Sequence, residues 1–180
     1  VASVVTWRDA DVTDYNSLLE AFEGVTGVIH AAAMVSYHKR DKNKIFKINV
    51  EGTSNVVNAC LQAGVKRLMH ISSVAALGKA KGQQLVTEES KWIEGTIASN
   101  YAVSKYRAEV EVWRGQEEGL STVIVNPSVI LAPTDWNKSS AQLFKYAWQE
   151  RPFYTRGGFS IVDVRDAALC VLKLFQSTIE

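Results

Sequence analysis

The stretch Gly27-Val28-Ile29-His30-Ala31-Ala32 is apolar almost without interruption and lacks the alternation of a half-solvated strand. Such a run is a strand covered on both faces, the environment of a parallel sheet. Two further runs, Arg67-Leu68-Met69-His70-Ile71-Ser72 and Leu120 to Val125, have the same character. Helical patterns separate them. Before the first, Val4, Val5 and Trp7 mark an expected short strand over 3–10, and Asp14 or Thr13 caps a helix whose apolar stripe is Leu18, Leu19, Ala21 and Phe22. Gly24 ends that helix. A long helix is expected from about Asp41 to Ala63, closed by Gly64, and another from 98 to 118, closed by Gly119. Strands alternating with helices give an α/β fold, a doubly wound parallel sheet with helices on both faces.

Farther out the signal thins. Residues 74–97 read as a largely polar excursion anchored by Leu85, Val86, Trp92 and Ile93. A helix near Ala141 to Trp148, an extended run from Phe159 to Val162, and a last helix from Val164 to about Phe175 complete the chain. Asp163 and Asp166 favour the start of that last helix.

A chain of 180 residues suffices for one domain with a sizeable core. Hydrophobic residues make up 47% and charged residues 22%, and the net charge of +1 is interspersed, so no nucleic-acid tract is indicated. The basic run from His38 to Lys44 reads as a solvated loop and helix start. Cys60 and Cys170 lie in apolar helical patterns without metal or redox spacing, and both are expected as buried thiols of a reducing compartment. No apolar run approaches the ~18 residues that span a bilayer, and no signal peptide opens the chain. A soluble, cytoplasmic protein is the expectation, with no metal, nucleic acid or membrane as partner.

In open parallel sheets, ligands gather at the carboxyl ends of the strands. Small or polar residues stand at each of these ends: Asp11-Val12, His30-Ala31-Ala32-Ala33, Ser72-Ser73 and Asn126-Pro127-Ser128. Beyond them, Tyr101 and Lys105 sit four apart in a helical segment, so that a phenol and an ammonium share one helix face. A free phenol titrates near pH ~10, and an ammonium within a few ångströms lowers that value by roughly 1–3 units. Such a pair can shuttle a proton to a carbonyl or hydroxyl. Met34, Tyr37, Trp92, Trp136 and Phe144 are candidates for an apolar substrate pocket. Asn49 is expected to tie its helix to the neighbouring strand, and His70 reads as a core histidine.

Taken in order, Asp11-Val12, His30 to Ala33, Asn49-Val50-Glu51-Gly52-Thr53, Ser72-Ser73, Tyr101-Ala-Val-Ser-Lys105, Asn126-Pro127-Ser128 and Val162 to Asp166 resemble the extended short-chain dehydrogenase/reductases over nearly the whole chain. These form the NAD-dependent epimerase/dehydratase superfamily. Glu89-Ser90-Lys91-Trp92 and Ala108-Glu109 place the likeness nearest to dihydroflavonol-4-reductase-like and 3β-hydroxysteroid-dehydrogenase-like reductases. Ser73-Val74-Ala75 and Leu77 depart from the patterns of sugar dehydratases and epimerases. The resemblance implies a Rossmann-type sheet and an NAD(P)H-dependent reductase of a ketone or aldehyde, with NADP favoured and NAD possible. Tyr101 would be the general acid, Lys105 its activator and a ligand of the nicotinamide ribose, and Ser73 a donor to the substrate oxygen. Asp11 and Val12 would meet the adenine, Ala31, Ala32 and Ala33 would line the cofactor cleft, and Pro127 and Ser128 would border the carboxamide. A homodimer through helices 41–63 and 98–118 is implied as well. The alternatives are a nucleotide-sugar epimerase or dehydratase, and a non-catalytic dinucleotide sensor or scaffold.

The resemblance also implies a Gly-rich loop after a first strand, which these residues lack. Both ends read as cut, so the expectation is an internal portion of a longer chain, without the first two strands and with the start of a small substrate lobe. Residues 1–135 would be a partial dinucleotide-binding domain, 136–162 a segment of that lobe, and 163–180 a helix returning to the core. The run at 3–10 would then have no partner, the following strand would expose an edge, and these residues alone would bind a dinucleotide weakly or not at all.

Overall fold

Asp14 caps the first helix, its carboxylate accepting from the amides of Asn16 and Ser17 at 3.0 and 3.3 Å. That helix, α1, spans Tyr15–Phe22 and turns out at Gly24, whose φ is +73°. The computed structural model describes residues 5–78, 85–90, 92–93, 98–137, 139–150, 152–153 and 158–179. The chain forms two compact units, 1–126 with 179–180, and 127–178.

In the first unit, β1 (Gly27–His30), β2 (Arg67–Ile71) and β3 (Ser121–Val125) make a parallel sheet in the order β1-β2-β3. Its register pairs Gly27 with Arg67 and Arg67 with Ser121. The expected strand over 3–10 is not there: residues 5–10 are irregular and exposed, with Trp7 at 89%, and 1–4 lie outside the described residues. Among the described residues no strand pairs with it. Arg8 instead donates to the Glu20 carbonyl at 2.9 Å, at the end of α1.

The long helix after β1 is composite. A short 3₁₀ turn, Lys39–Asp41, leads into α2 (Lys42–Phe46), one turn of the wider π type (Lys47–Glu51), and α3 (Gly52–Ala63). Gly64, at φ +69°, closes α3 by giving its own amide to Leu61 and passing the Val65 amide to the Cys60 carbonyl. Helix α4 (Asn100–Glu117) starts at Ser99, whose hydroxyl accepts from the Ala102 amide at 3.1 Å, and closes in the same way at Gly119.

Leu18, Val56, Val57, Ala59, Cys60, Val112 and Leu120 form the core with Leu68 of β2. Within it α4 approaches α3 closely at Gly115, where a Cβ would stand 2.6 Å from Val57 Cγ1. Cys60 is buried as expected, whereas Cys170 is exposed, in a helical segment (164–176) that has no buried residue. In the excursion, Leu85 is 73% exposed, while Trp92 stacks on Tyr106 of α4 at 4.6 Å between ring centroids. Residues 79–84, 91 and 94–97 lie outside the described residues.

The second unit contains β4 (Val129–Leu131), paired in parallel with β5 (Ile161–Asp163), and helices α5 (Gln142–Trp148) and α6 (Val164–Gln176). Asp163 caps α6, accepting from the Arg165 amide at 2.8 Å. Leu131, Ala132, Pro133, Trp136, Phe144 and Asp163 enclose an open pocket of about 320 Å³. Two of the sequence-chosen aromatics, Trp136 and Phe144, thus line one cavity.

Candidate active site

Ser73 follows β2 and caps a 3₁₀ turn, Val74–Ala76, its hydroxyl oxygen accepting from the Ala75 amide at 3.2 Å. Tyr101 lies in the first turn of α4, which sets its phenol beside that strand end. Burial pushes the phenol above its ordinary value, and the neighbouring Tyr37 adds to this. A hydrogen bond from the Ser73 hydroxyl works in the opposite direction, favouring the phenolate. The Tyr37 and Tyr101 rings meet edge to face, 6.1 Å between centroids. Ser73 and Tyr101 are therefore brought together.

Lys105 is one turn farther on and 1% exposed. Its ammonium donates to the Ile71 carbonyl at 2.8 Å and lies 3.3 Å from His70 Nε2. The expected pull of Lys105 on the tyrosine is not what the geometry gives, since the ammonium is engaged at the end of β2 and the phenol is shifted upward. Burial pulls Lys105 itself down to about 8, against the opposing charge of Glu109. An amine in that range changes charge close to neutrality.

A buried polar scaffold holds this arrangement. Asn49, in the π turn, accepts from the Met34 amide at 2.7 Å and donates to the Met34 carbonyl at 3.0 Å and to Ser104 Oγ at 2.9 Å. It ties the loop after β1 to α4, rather than a strand to its own helix. Ser104 in turn donates to the Tyr101 carbonyl at 2.7 Å. Glu109 is 3% exposed; its carboxylate accepts from Ser72 Oγ and, at 2.6 Å, from Asn126 Nδ2. Asn126 Nδ2 also donates to the Ser73 carbonyl at 3.1 Å. Burial raises the Glu109 pKa, and Ser72, Asn126 and Lys105 counter it. Sequence reasoning missed Ser104 and Glu109 as members of this scaffold. Both lie in the Tyr-x-x-x-Lys helix at spacings that share the buried face, three beyond Tyr101 and four beyond Lys105, and that periodicity was the available signal.

The remaining sequence-chosen residues fall into three places. Asp11 accepts from the Thr13 amide at 2.8 Å and the Thr13 hydroxyl at 2.9 Å, and these bonds hold its carboxylate below the usual range. Val12 packs on α3 where Gly52 provides room: a Cβ there would stand 2.9 Å from Val12 Cγ2. Ala31, Ala32 and Ala33 are exposed in the loop directly after β1, so small side chains border open space at that strand end. Pro127 and Ser128 belong to the second unit, where they lead into β4 and are partly buried. Among the described residues there is no cluster of ligands for a metal, and no helix is long and apolar enough to cross a membrane.

The family model of the 3-beta hydroxysteroid dehydrogenase/isomerase family matches residues 2–161. Cinnamoyl-CoA reductase 1 of Petunia hybrida is 32% identical over 183 residues, covering 96% of this chain and 54% of its own. The crystal structure of gox2253 is 36% identical with a TM-score of 0.78, covering 89% of this chain and 49% of that one. A Thermus thermophilus UDP-glucose 4-epimerase in complex with NAD has a TM-score of 0.74 over 93% of this chain and 59% of its own; at 24% identity it shows the fold. The chain spans about half the length of the curated relatives it matches first.

Proposed function

We propose, because this chain belongs to the 3-beta hydroxysteroid dehydrogenase/isomerase family within the extended short-chain dehydrogenase/reductases, that it carries the proton-handling half of an NAD(P)H-dependent reductase of ketones or aldehydes. One observation supports this reading above the others. The Ser73 hydroxyl and the Tyr101 phenol stand close enough at the carboxyl end of β2 for the serine to favour the phenolate, with a buried ammonium one helical turn behind them. Two hydroxyls that converge at a strand end can both reach one substrate oxygen.

In this reading Ser73 Oγ donates to the carbonyl oxygen and polarises it. Tyr101 Oη then gives its proton to the oxygen as negative charge develops there. Its raised pKa keeps it protonated at neutral pH, which suits an acid for the reductive direction. Lys105, with a pKa of about 8, is mostly cationic at neutral pH, and from its place at the end of β2 it is the candidate ligand for the nicotinamide ribose. A reduced nicotinamide, when bound, supplies the hydride. The open strand end beside Ala31, Ala32 and Ala33 suits a dinucleotide, and Asp11, Val12, Lys105, Pro127 and Ser128 are the further candidates to hold it. No G-x-x-G-x-x-G turn occurs in these 180 residues, so the groups that would cradle its phosphates are not among them. The choice of NADP over NAD rests on the branch resemblance. A homodimer through 41–63 and 98–118 belongs to the same reading; on α4, Val110 and Trp113 remain 42% and 43% exposed.

The test is oxidation of NADPH by the full chain with a panel of aromatic aldehydes and ketones. Tyr101→Phe is expected to lower turnover by ~10²–10⁴ while leaving cofactor affinity unchanged. Undiminished turnover would remove Tyr101 from the mechanism. Turnover of nucleotide sugars without added cofactor would overturn the substrate class.

A further inference from the structure

We propose that His70 is the positioning residue for Lys105. Its neutral imidazole accepts from the buried ammonium and, together with the Ile71 carbonyl, fixes where Nζ stands at the end of β2. The proposal rests on the reductase reading for the purpose of that ammonium, but the geometry that carries it is independent of any substrate.

His70 is 1% exposed in the middle of the sheet. Its Nε2 lies 3.3 Å from Lys105 Nζ, while its Nδ1 is buried with no hydrogen-bond partner among the described residues. Among the described residues the ring thus has one hydrogen-bond contact, and that contact is Lys105. A residue serving only to fill the core would be apolar there, since leaving a buried ring nitrogen unmatched is costly. An ammonium has no lone pair to offer, so Nε2 is the acceptor and the ring proton resides on Nδ1.

The ring is itself held. His30 of β1 lies against it, with centroids 5.1 Å apart and planes tilted by 38°. His30 Nε2 is 3.0 Å from Thr53 Oγ1, and Thr53 donates its hydroxyl proton to the Asn49 carbonyl at 2.6 Å. His30 therefore donates to Thr53, and the support runs from the π turn through Thr53, His30 and His70 to the ammonium. The charged or titratable groups around His70 are His30 from β1 and Lys105 from α4, and the charge of Glu109 of α4 acts in turn on Lys105. Burial and the adjacent ammonium both hold His70 neutral, well below its ordinary value. That is the state an acceptor needs.

The test is an NMR titration of the Lys105 Cε signal in the full chain without nucleotide, in the parent and in His70→Phe, His70→Asn and His70→Gln. Phe removes the acceptor, Asn carries its amide near the Nδ1 position and falls short of Lys105, and Gln reaches as far as Nε2. With the acceptor gone the ammonium loses a stabilising partner, so the Lys105 pKa is expected to fall by about a unit in the Phe and Asn variants, with near recovery in Gln. Turnover should fall by about tenfold in Phe and Asn at unchanged KM for the carbonyl compound and recover in Gln. If Phe does not fold, the contrast between Asn and Gln decides. A Lys105 titration indifferent to all three replacements, or a Gln variant as impaired as Asn, overturns the proposal. Should Tyr101→Phe retain full turnover while the titration behaves as described, the reductase reading fails and the His70–Lys105 linkage stands.

Discussion

At the scale of single residues, the site is an arrangement of buried polar groups, each needing its partner. Glu109 shows this best. Replacing it by Ala takes the acceptor from the buried Ser72 Oγ and leaves Asn126 Nδ2 with only the Ser73 carbonyl. The expected loss of stability is about 1–3 kcal/mol, read from urea unfolding, and Glu109→Gln should lose less because it keeps one carbonyl oxygen. Because the Glu109 charge also holds the Lys105 pKa up, the Gln variant should titrate Lys105 below the parent value. Tyr101, Lys105 and Ser73 were legible as residue types at strand and helix ends. Which atom each side chain touches was not, because hydrogen-bond partners separated by 35 residues, as Lys105 and His70 are, leave no local pattern. The sequence placed the ammonium beside the phenol; the fold holds it on a carbonyl and an imidazole of β2.

At the scale of elements, the helices carry the geometry and glycine sets how closely they meet. Gly115 lets α4 rest on Val57 of α3, and an added Cβ would stand 2.6 Å from Val57 Cγ1. Gly115→Ala should destabilise by about 1–3 kcal/mol through overpacking, despite the better helix propensity of alanine. Combining it with Val57→Ala should recover part of that loss; purely additive losses in a double-mutant cycle of thermal melts would contradict the steric account. Helices α1, α3 and α4 and strands β1 to β3 were all readable from periodicity and glycine stops, because each is long or continuously apolar. The π turn at 47–51 was not, since one extra residue within a helix barely disturbs an apolar stripe. Nor was β4, because three residues after Asn126-Pro127-Ser128 are too few to show a period. Residues 5–10 show the opposite error: strand-like composition without a strand partner among the described residues makes no strand.

At the scale of the whole molecule, two buried neutral histidines make stability depend on pH. His30 is held down to about 4 and His70 well below its ordinary value, both chiefly by burial. Unfolded, each takes up a proton near pH ~6.5. The unfolded chain therefore binds more protons below that value, and the fold loses stability as pH falls from about 6.5 to about 4, by roughly 1.4 kcal/mol per pH unit for His30, with His70 acting in the same direction. Glu109, whose folded pKa is raised, acts with the opposite sign toward the acid end of this range. Urea midpoints at pH 7.5 and 5 should differ accordingly, and His30→Gln should flatten the dependence; equal midpoints in the parent would contradict it. The strand order has a consequence for how the chain comes to be folded at all. Because β1, β2 and β3 lie side by side in the order they occur in sequence, each pairs only with a strand already made or the next to come. Synthesis runs in that same direction, so β1 and β2, with α1 and α3, can assemble while β3 is still untranslated. The Lys105 pocket closes only afterwards, once α4 has packed on α3 and β3 has paired with the free edge of β2.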